Sequence, residues 1–123
     1  MGPRIGLDLV SVEAVEQSIA VHGDRYLIRT FTDDELRECG GRPDRLAARF
    51  AAKEAVMKAL DRGDEPLPWT SIATRRDATG RPTVVLTGAA AELAARRGLA
   101  IFELSLTHDA GYGAAVVLAL PEG

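Results

Sequence analysis

Between residues 4 and 10 apolar and polar positions alternate, with Ile5, Leu7 and Leu9 on one side and Gly6, Asp8 and Val10 on the other. That period predicts a short strand. The period then lengthens. Val12, Val15 and Ile19 are spaced for one helical face behind Ser11 as N-cap, so a helix is predicted to about residue 22. Residues 24–31 read as a shorter helical piece. Thr32-Asp33-Asp34-Glu35 is a capping box, in which the Thr32 hydroxyl caps the turn while Glu35 reaches back. This third helix stops at Gly40-Gly41, and a long helix follows over about 44–60, entered through Pro43-Asp44. Two prolines and a glycine break the pattern in 61–69. Strand-like residues 70–76 and 82–87 flank Asp77-Ala78-Thr79-Gly80, a hairpin turn signal. Residues 89–98 form a short helix ended by Gly98, 99–109 a strand, 110–113 a turn and 114–120 a buried strand. This order has hairpins and no βαβ alternation. It predicts an α+β fold, one domain over 1–123, with a mainly antiparallel sheet packed against the long helix.

The long helix breaks its own pattern. In RFAAKEAVMKAL (49–60), Lys53 falls on the wheel between Phe50, Val56, Met57 and Leu60. A core-facing stripe should be apolar there. Arg49 and Lys53 can snorkel past an apolar face, and Glu54 with Lys58 is an ordinary i,i+4 pair. Taken together the cluster points elsewhere. A carboxylate among three cations suits a metal plus a polyanion, and Mg²⁺ takes one or two protein carboxylates, waters and substrate phosphates. Asp8, a carboxylate on a strand with apolar neighbours, is either an edge-strand acid facing water or, with Glu54, the second member of such a pair. The cations would neutralise phosphate charge.

Composition narrows the class. The chain has 123 residues, 46% hydrophobic and 27% charged, as a globular domain should. Its net charge of -3 argues against nucleic acid as partner. No apolar run predicts a signal peptide or a membrane span, and the single cysteine, Cys39, fits a reducing compartment, so a cytoplasmic location is expected. Gly80-Arg81-Pro82 reads as a hairpin corner that lets backbone approach a ligand. Thr107-His108-Asp109 ends a strand with a hydroxyl, an imidazole and a carboxylate, a hydrogen-bonded turn or a general base. His22 reads as a surface residue, and Trp69 as filling a core edge.

IGLDLV (5–10), RFAAKEAVMKAL (49–60), GRPTVVLTG (80–88) and SLTHD (105–109), in this order and spacing, resemble the holo-acyl-carrier-protein synthases. These are small stand-alone 4′-phosphopantetheinyl transferases, and the resemblance runs nearly end to end. It implies transfer of the phosphopantetheine arm of coenzyme A to a serine of an apo-acyl carrier protein, releasing adenosine 3′,5′-bisphosphate. It implies a homotrimer with sites at subunit boundaries. It implies Mg²⁺ on Asp8 and Glu54, and Lys58 at the pyrophosphate. Coenzyme A would meet Arg49, Phe50 and Lys53, with Gly80, Arg81 and Pro82 as the nucleotide-side loop. Thr107 and His108 would come from a neighbouring subunit. The base for the serine proton stays open between a metal-bound water, which is favoured, Glu54 and His108.

Three positions depart from the family's usual pattern. Ala14 stands where an arginine that meets the carrier is common, so either docking shifts to Arg25 or Arg29 or the partner differs. Asp61 replaces a glycine, so loop 61–68 is expected to sit differently. Thr107 replaces a more frequent serine. Two rival readings are a non-catalytic carrier-binding subunit that kept the fold and another Mg²⁺-using nucleotide enzyme. The first predicts loss of the metal and cation residues, which are all present. Competition between coenzyme A and a nucleoside triphosphate separates the second.

Overall fold

A computed structural model describes residues 2–123. Strand β1 (Arg4–Ser11) leads into α1 (Val12–His22), α2 (Asp24–Thr30), α3 (Asp33–Cys39) and α4 (Pro43–Leu60). A 3₁₀ turn at Trp69–Ser71 precedes the hairpin β2 (Ile72–Arg76) and β3 (Pro82–Leu86). Helix α5 (Gly88–Arg96) and a second hairpin, β4 (Leu99–Asp109) and β5 (Tyr112–Pro121), complete the chain. The caps are those the sequence predicts. The Ser11 hydroxyl accepts from Ala14 N–H, and Thr32 with Glu35 closes a reciprocal capping box.

The strands form two sheets rather than one. The larger is antiparallel in the order β1-β5-β4, and β2-β3 is a separate antiparallel pair. Helix α4 lies on one face of the larger sheet. Val56, Leu60, Leu104, Ala115, Val117 and Ala119 are buried between them, joined by Leu93 of α5 and Ile72 of β2. A smaller core of Val15, Phe31, Cys39, Leu46 and Ala47 sits beneath the first three helices.

The helix approaches the sheet almost backbone to backbone. A Cβ placed on Gly6 would lie 1.8 Å from the Ala55 carbonyl oxygen, and one on Gly113 would lie 2.4 Å from Ala48 N. Facing these glycines α4 presents alanines, Ala47, Ala48, Ala51, Ala52, Ala55 and Ala59, all buried. Small residues on both surfaces bring the helix axis down onto β1 and β5.

The other face of the same sheet is apolar and open. Ile5, Leu7 and Leu9 are 69%, 65% and 63% exposed, and Val116, Leu118 and Ile101 continue the patch across β5 and β4. The expected buried strand at 114–120 is therefore covered on one face only within this chain.

Asp61 takes the left-handed conformation, φ 52°, that a glycine would adopt more easily. Arg97 holds that turn, donating from Nε to the Leu60 carbonyl at 3.1 Å and from Nη2 to the Asp61 carbonyl at 2.9 Å. Among the described residues no helix is long and apolar enough to cross a membrane.

Candidate active site

Three of the predicted residues meet where α4 crosses β1. Asp8 lies in register with Ala115 and so points to the helix side of the sheet with Gly6 and Val10. Lys58 Nζ bonds Asp8 Oδ1 at 3.0 Å and the Leu7 carbonyl at 2.9 Å. Glu54, one turn before Lys58, is half-buried in the same place. Burial pushes its carboxyl above the usual glutamate range, the nearby Asp8 charge pushes it further, and Lys58 and Arg62 oppose both. A cation arriving beside Glu54 would relieve that cost. Among the described residues no third acid, histidine or cysteine joins them. Two hard oxygen donors, with room for water and phosphate oxygens, suit Mg²⁺ and not a metal needing a full protein cage. Glu54, Lys58, Asp61 and Arg62 line the adjoining recess.

A second group of residues gathers at the other end of α4. Arg45, Arg49, Arg76, Gly80, Pro82 and His108 line a cavity of about 320 Å³, together with Thr107. Three guanidinium groups around one cavity make it a receptor for anions. Arg49 is 4% exposed and is held on two sides. Nη1 donates to the Thr74 carbonyl at 3.1 Å and to Thr74 Oγ1 at 2.8 Å, and Nη2 lies 3.0 Å from Glu38 Oε1. His108 Nδ1 sits 3.5 Å from Asp44 Oδ2 at the start of α4.

The structure places Lys53 away from both recesses. Its side chain is 0% exposed and lines neither recess. Nζ lies 2.7 Å from Glu35 Oε1, itself 0% exposed, and donates to the backbone carbonyls of Trp69 and Ile72. Burial pulls the ammonium below the ordinary lysine range, and Glu35 works against that. The cation on the apolar stripe therefore answers a buried carboxylate from α3, not a ligand. Phe50 packs against Trp69, ring centroids 4.7 Å apart, and lines neither recess. Arg81 turns away from the cavity between its neighbours Gly80 and Pro82, with Nη2 2.7 Å from Glu103 Oε2.

The two recesses do not face each other. Arg49 and Glu54 are five residues apart, about 140° around the helix at 3.6 residues per turn. Asp8 is on β1 and His108 on β4, the two opposite edges of the three-stranded sheet.

The family model for the 4′-phosphopantetheinyl transferase superfamily matches residues 4–117. The holo-acyl-carrier-protein synthase of Desulforudis audaxviator is 42% identical over 119 residues, 94% of this chain and 91% of that protein. The chain belongs to the holo-acyl-carrier-protein synthase family. A synthase from Moorella thermoacetica, 43% identical over 116 residues, covers 92% of this chain and 90% of its own. Among solved members of the family, the Helicobacter pylori synthase in complex with coenzyme A superposes with a TM-score of 0.84 at 28% identity, over 94% of this chain and 98% of that one. The Mycobacterium tuberculosis acyl carrier protein synthase gives 0.77 at 35% identity, over 97% of each chain.

Sequence reasoning missed Arg45 and Arg76 in the arginine cavity. Arg45 precedes Arg49 by one helical turn, a spacing that places both on one side of α4. That signal was available. Arg76 ends the predicted hairpin's first strand and pairs with Pro82, so the hairpin signal led to it as well.

Proposed function

We propose that the chain transfers the 4′-phosphopantetheine arm of coenzyme A to a serine of an apo-acyl carrier protein. The meeting of Asp8, Glu54 and Lys58 carries this reading. Asp8 and Glu54 would hold Mg²⁺, which when bound polarises a pyrophosphate oxygen and offsets its charge. The serine oxygen forms a bond to the β-phosphorus as its proton passes to water, the bond from the β-phosphorus to the bridging oxygen breaks, and adenosine 3′,5′-bisphosphate leaves with that oxygen on its 5′-phosphate. Lys58 supplies positive charge to the leaving phosphate. Arg45, Arg49 and Arg76 would hold the nucleotide-side phosphates, and Gly80 with Pro82 lets the chain pass close to the nucleotide. Positioning and charge neutralisation by these groups carry the rate. Mass spectrometry of an apo-carrier protein after incubation with coenzyme A and Mg²⁺ tests the reading. The carrier should gain one phosphopantetheine, and no mass change under any Mg²⁺ concentration would sink it.

A complete site needs both recesses, and one chain holds them at opposite sheet edges. A homotrimer resolves this, with the β4 edge of one subunit, carrying Thr107 and His108, set against the β1 edge of the next. The open apolar face of Ile5, Leu7, Leu9, Val116 and Leu118 supports the same assembly, since contiguous exposed apolar surface of this kind marks an interface. Light scattering should give about 39 kDa, three times 13.1 kDa. Leu7→Asp should give a folded monomer whose transfer rate falls by roughly a hundredfold or more, as loss of positioned charge groups predicts. A monomeric wild type with full activity rules out the shared site.

The carrier protein would dock on α1 and α2. Arg25 and Arg29 are exposed on α2 and border one recess with His22 and Tyr26. An acidic carrier needs a local basic patch, because the enzyme's own net charge is -3. Arg25→Glu with Arg29→Glu should raise the KM for the carrier about tenfold and leave the KM for coenzyme A unchanged, by steady-state titration of each substrate. An unchanged carrier KM removes these residues from docking.

A further inference from the structure

Arg49 reaches its cavity inside a buried network that has its own direction. Glu35 is wholly buried, and as a carboxylate it only accepts hydrogen bonds. Oε1 accepts from Thr32 N at 3.0 Å and pairs with Lys53. Oε2 accepts from Thr74 N at 2.9 Å and from the Thr74 hydroxyl at 3.0 Å. The single hydroxyl proton of Thr74 is thereby committed to Glu35. Its lone pairs are left for Arg49, and a guanidinium only donates. Thr74, 0% exposed, is therefore a one-way link between a carboxylate and a guanidinium that do not touch.

The opposite side of the guanidinium is fixed too. Nη2 meets Glu38, whose carboxylate also accepts from Arg76 N at 3.3 Å. Both hydrogens of Nη1 are used by Thr74 and one of Nη2 by Glu38. The Nε–H and the second Nη2 hydrogen have no protein partner among the described residues. A free arginine would sweep many rotamers at considerable entropic cost when it binds. This one meets its ligand with two donors already set.

We propose that Thr74, oriented by Glu35 and assisted by Glu38, is a positioning residue that aims Arg49 at the anionic nucleotide end of coenzyme A. This rests on the reading of the arginine cavity given under Proposed function. Glu35 and Thr74 touch neither the cavity nor the carboxylate pair, so they reach the ligand only through Arg49. The effect should appear in binding of one substrate. It should not appear in the chemical step or in carrier affinity.

Steady-state kinetics on Thr74→Val, Thr74→Ser, Arg49→Gln and the double variant Thr74→Val/Arg49→Gln test this. Thr74→Val should raise the KM for coenzyme A roughly tenfold, the worth of one hydrogen bond to a charged group. Its kcat and carrier KM should stay near wild type. Thr74→Ser keeps the hydroxyl and should restore the KM. In the double variant the Thr74 change should add nothing, because the residue it positions is gone. A Thr74→Val KM unchanged while Arg49→Gln raises it, or a fully additive double variant, overturns the positioning role and leaves the cavity reading standing. An unchanged KM in Arg49→Gln sinks the cavity reading, and this proposal with it. Glu38→Ala, at the partly exposed side of the network, covers the case in which Thr74→Val does not fold. It should raise the KM for coenzyme A severalfold, and no change there also overturns the positioning role.

Discussion

Asp8→Ala and Glu54→Gln are each expected to lower Mg²⁺-dependent transfer by about 10²–10³-fold or more, the scale of removing a group that stabilises developing charge. The fold should survive both. Neither carboxylate supports the core, and Glu54 in the metal-free protein is a liability. Its folded pKa is raised by burial and by Asp8, so the folded state holds the proton more tightly than the unfolded chain does. Stability from that difference is present at low pH and is lost as pH rises through the window between the usual glutamate value and the raised one. Glu54→Gln removes this loss. The metal-free variant should therefore melt higher than wild type at neutral pH while being inactive. Mg²⁺ should raise the melting temperature of wild type and leave Glu54→Gln unmoved. Activity in either variant at limiting Mg²⁺ would place the metal elsewhere. The same sign puts the acid limb of metal binding above the range of an ordinary glutamate.

Lys53→Met should be the most destabilising change at any single charged residue. It removes the counter-charge of the buried Glu35 carboxyl, and breaking a buried pair in this way costs about 3–5 kcal/mol. The melting temperature should fall by roughly 10–20 °C for a chain of this size. Adding Glu35→Gln should recover part of the loss, since the uncompensated charge then disappears. The outcome separates two roles for this lysine. A full-strength fold with a raised KM for coenzyme A would return Lys53 to the ligand site that the resemblance of RFAAKEAVMKAL implies. A collapsed fold in the single variant, relieved in the double, keeps it in the core.

Lys53 also marks where the sequence stopped being legible. The 3.6-residue pattern placed it correctly on the buried stripe of α4. The pattern gave no partner, because Glu35 lies eighteen positions earlier in another helix and already had a complete local explanation as the closing glutamate of a capping box. Both roles hold at once, as one oxygen serves the cap and Lys53 while the other serves β2. A local motif with a sufficient local cause hides any distant one. Strand and helix limits were legible to within about two residues because Ser11, Thr32, Gly40 and Gly98 act through their immediate neighbours. The division into two sheets was not, since both hairpins carry the same local signals and only packing against α4 and α5 decides which strands meet. For the site, the motif spacing located Asp8, Glu54 and Lys58 together. It could not say that Arg49, in the same dodecapeptide, serves the other recess, because five residues turn a helix more than a third of a revolution.

The contact through Gly6 and Gly113 has a consequence for how this enzyme can vary. Most helices stand off a sheet on side chains, and exchanging those side chains changes the stand-off. Here the spacer is a hydrogen atom on one surface and a methyl group on the other. Asp8 and Glu54 hang from the two backbones on either side of that gap, so the separation of the two carboxylates proposed to hold Mg²⁺ is a property of main chain meeting main chain. Leucines and valines elsewhere in the interior can be exchanged without retuning it. A single carbon at position 6 acts as a wedge, prising the two carboxylates apart while touching neither.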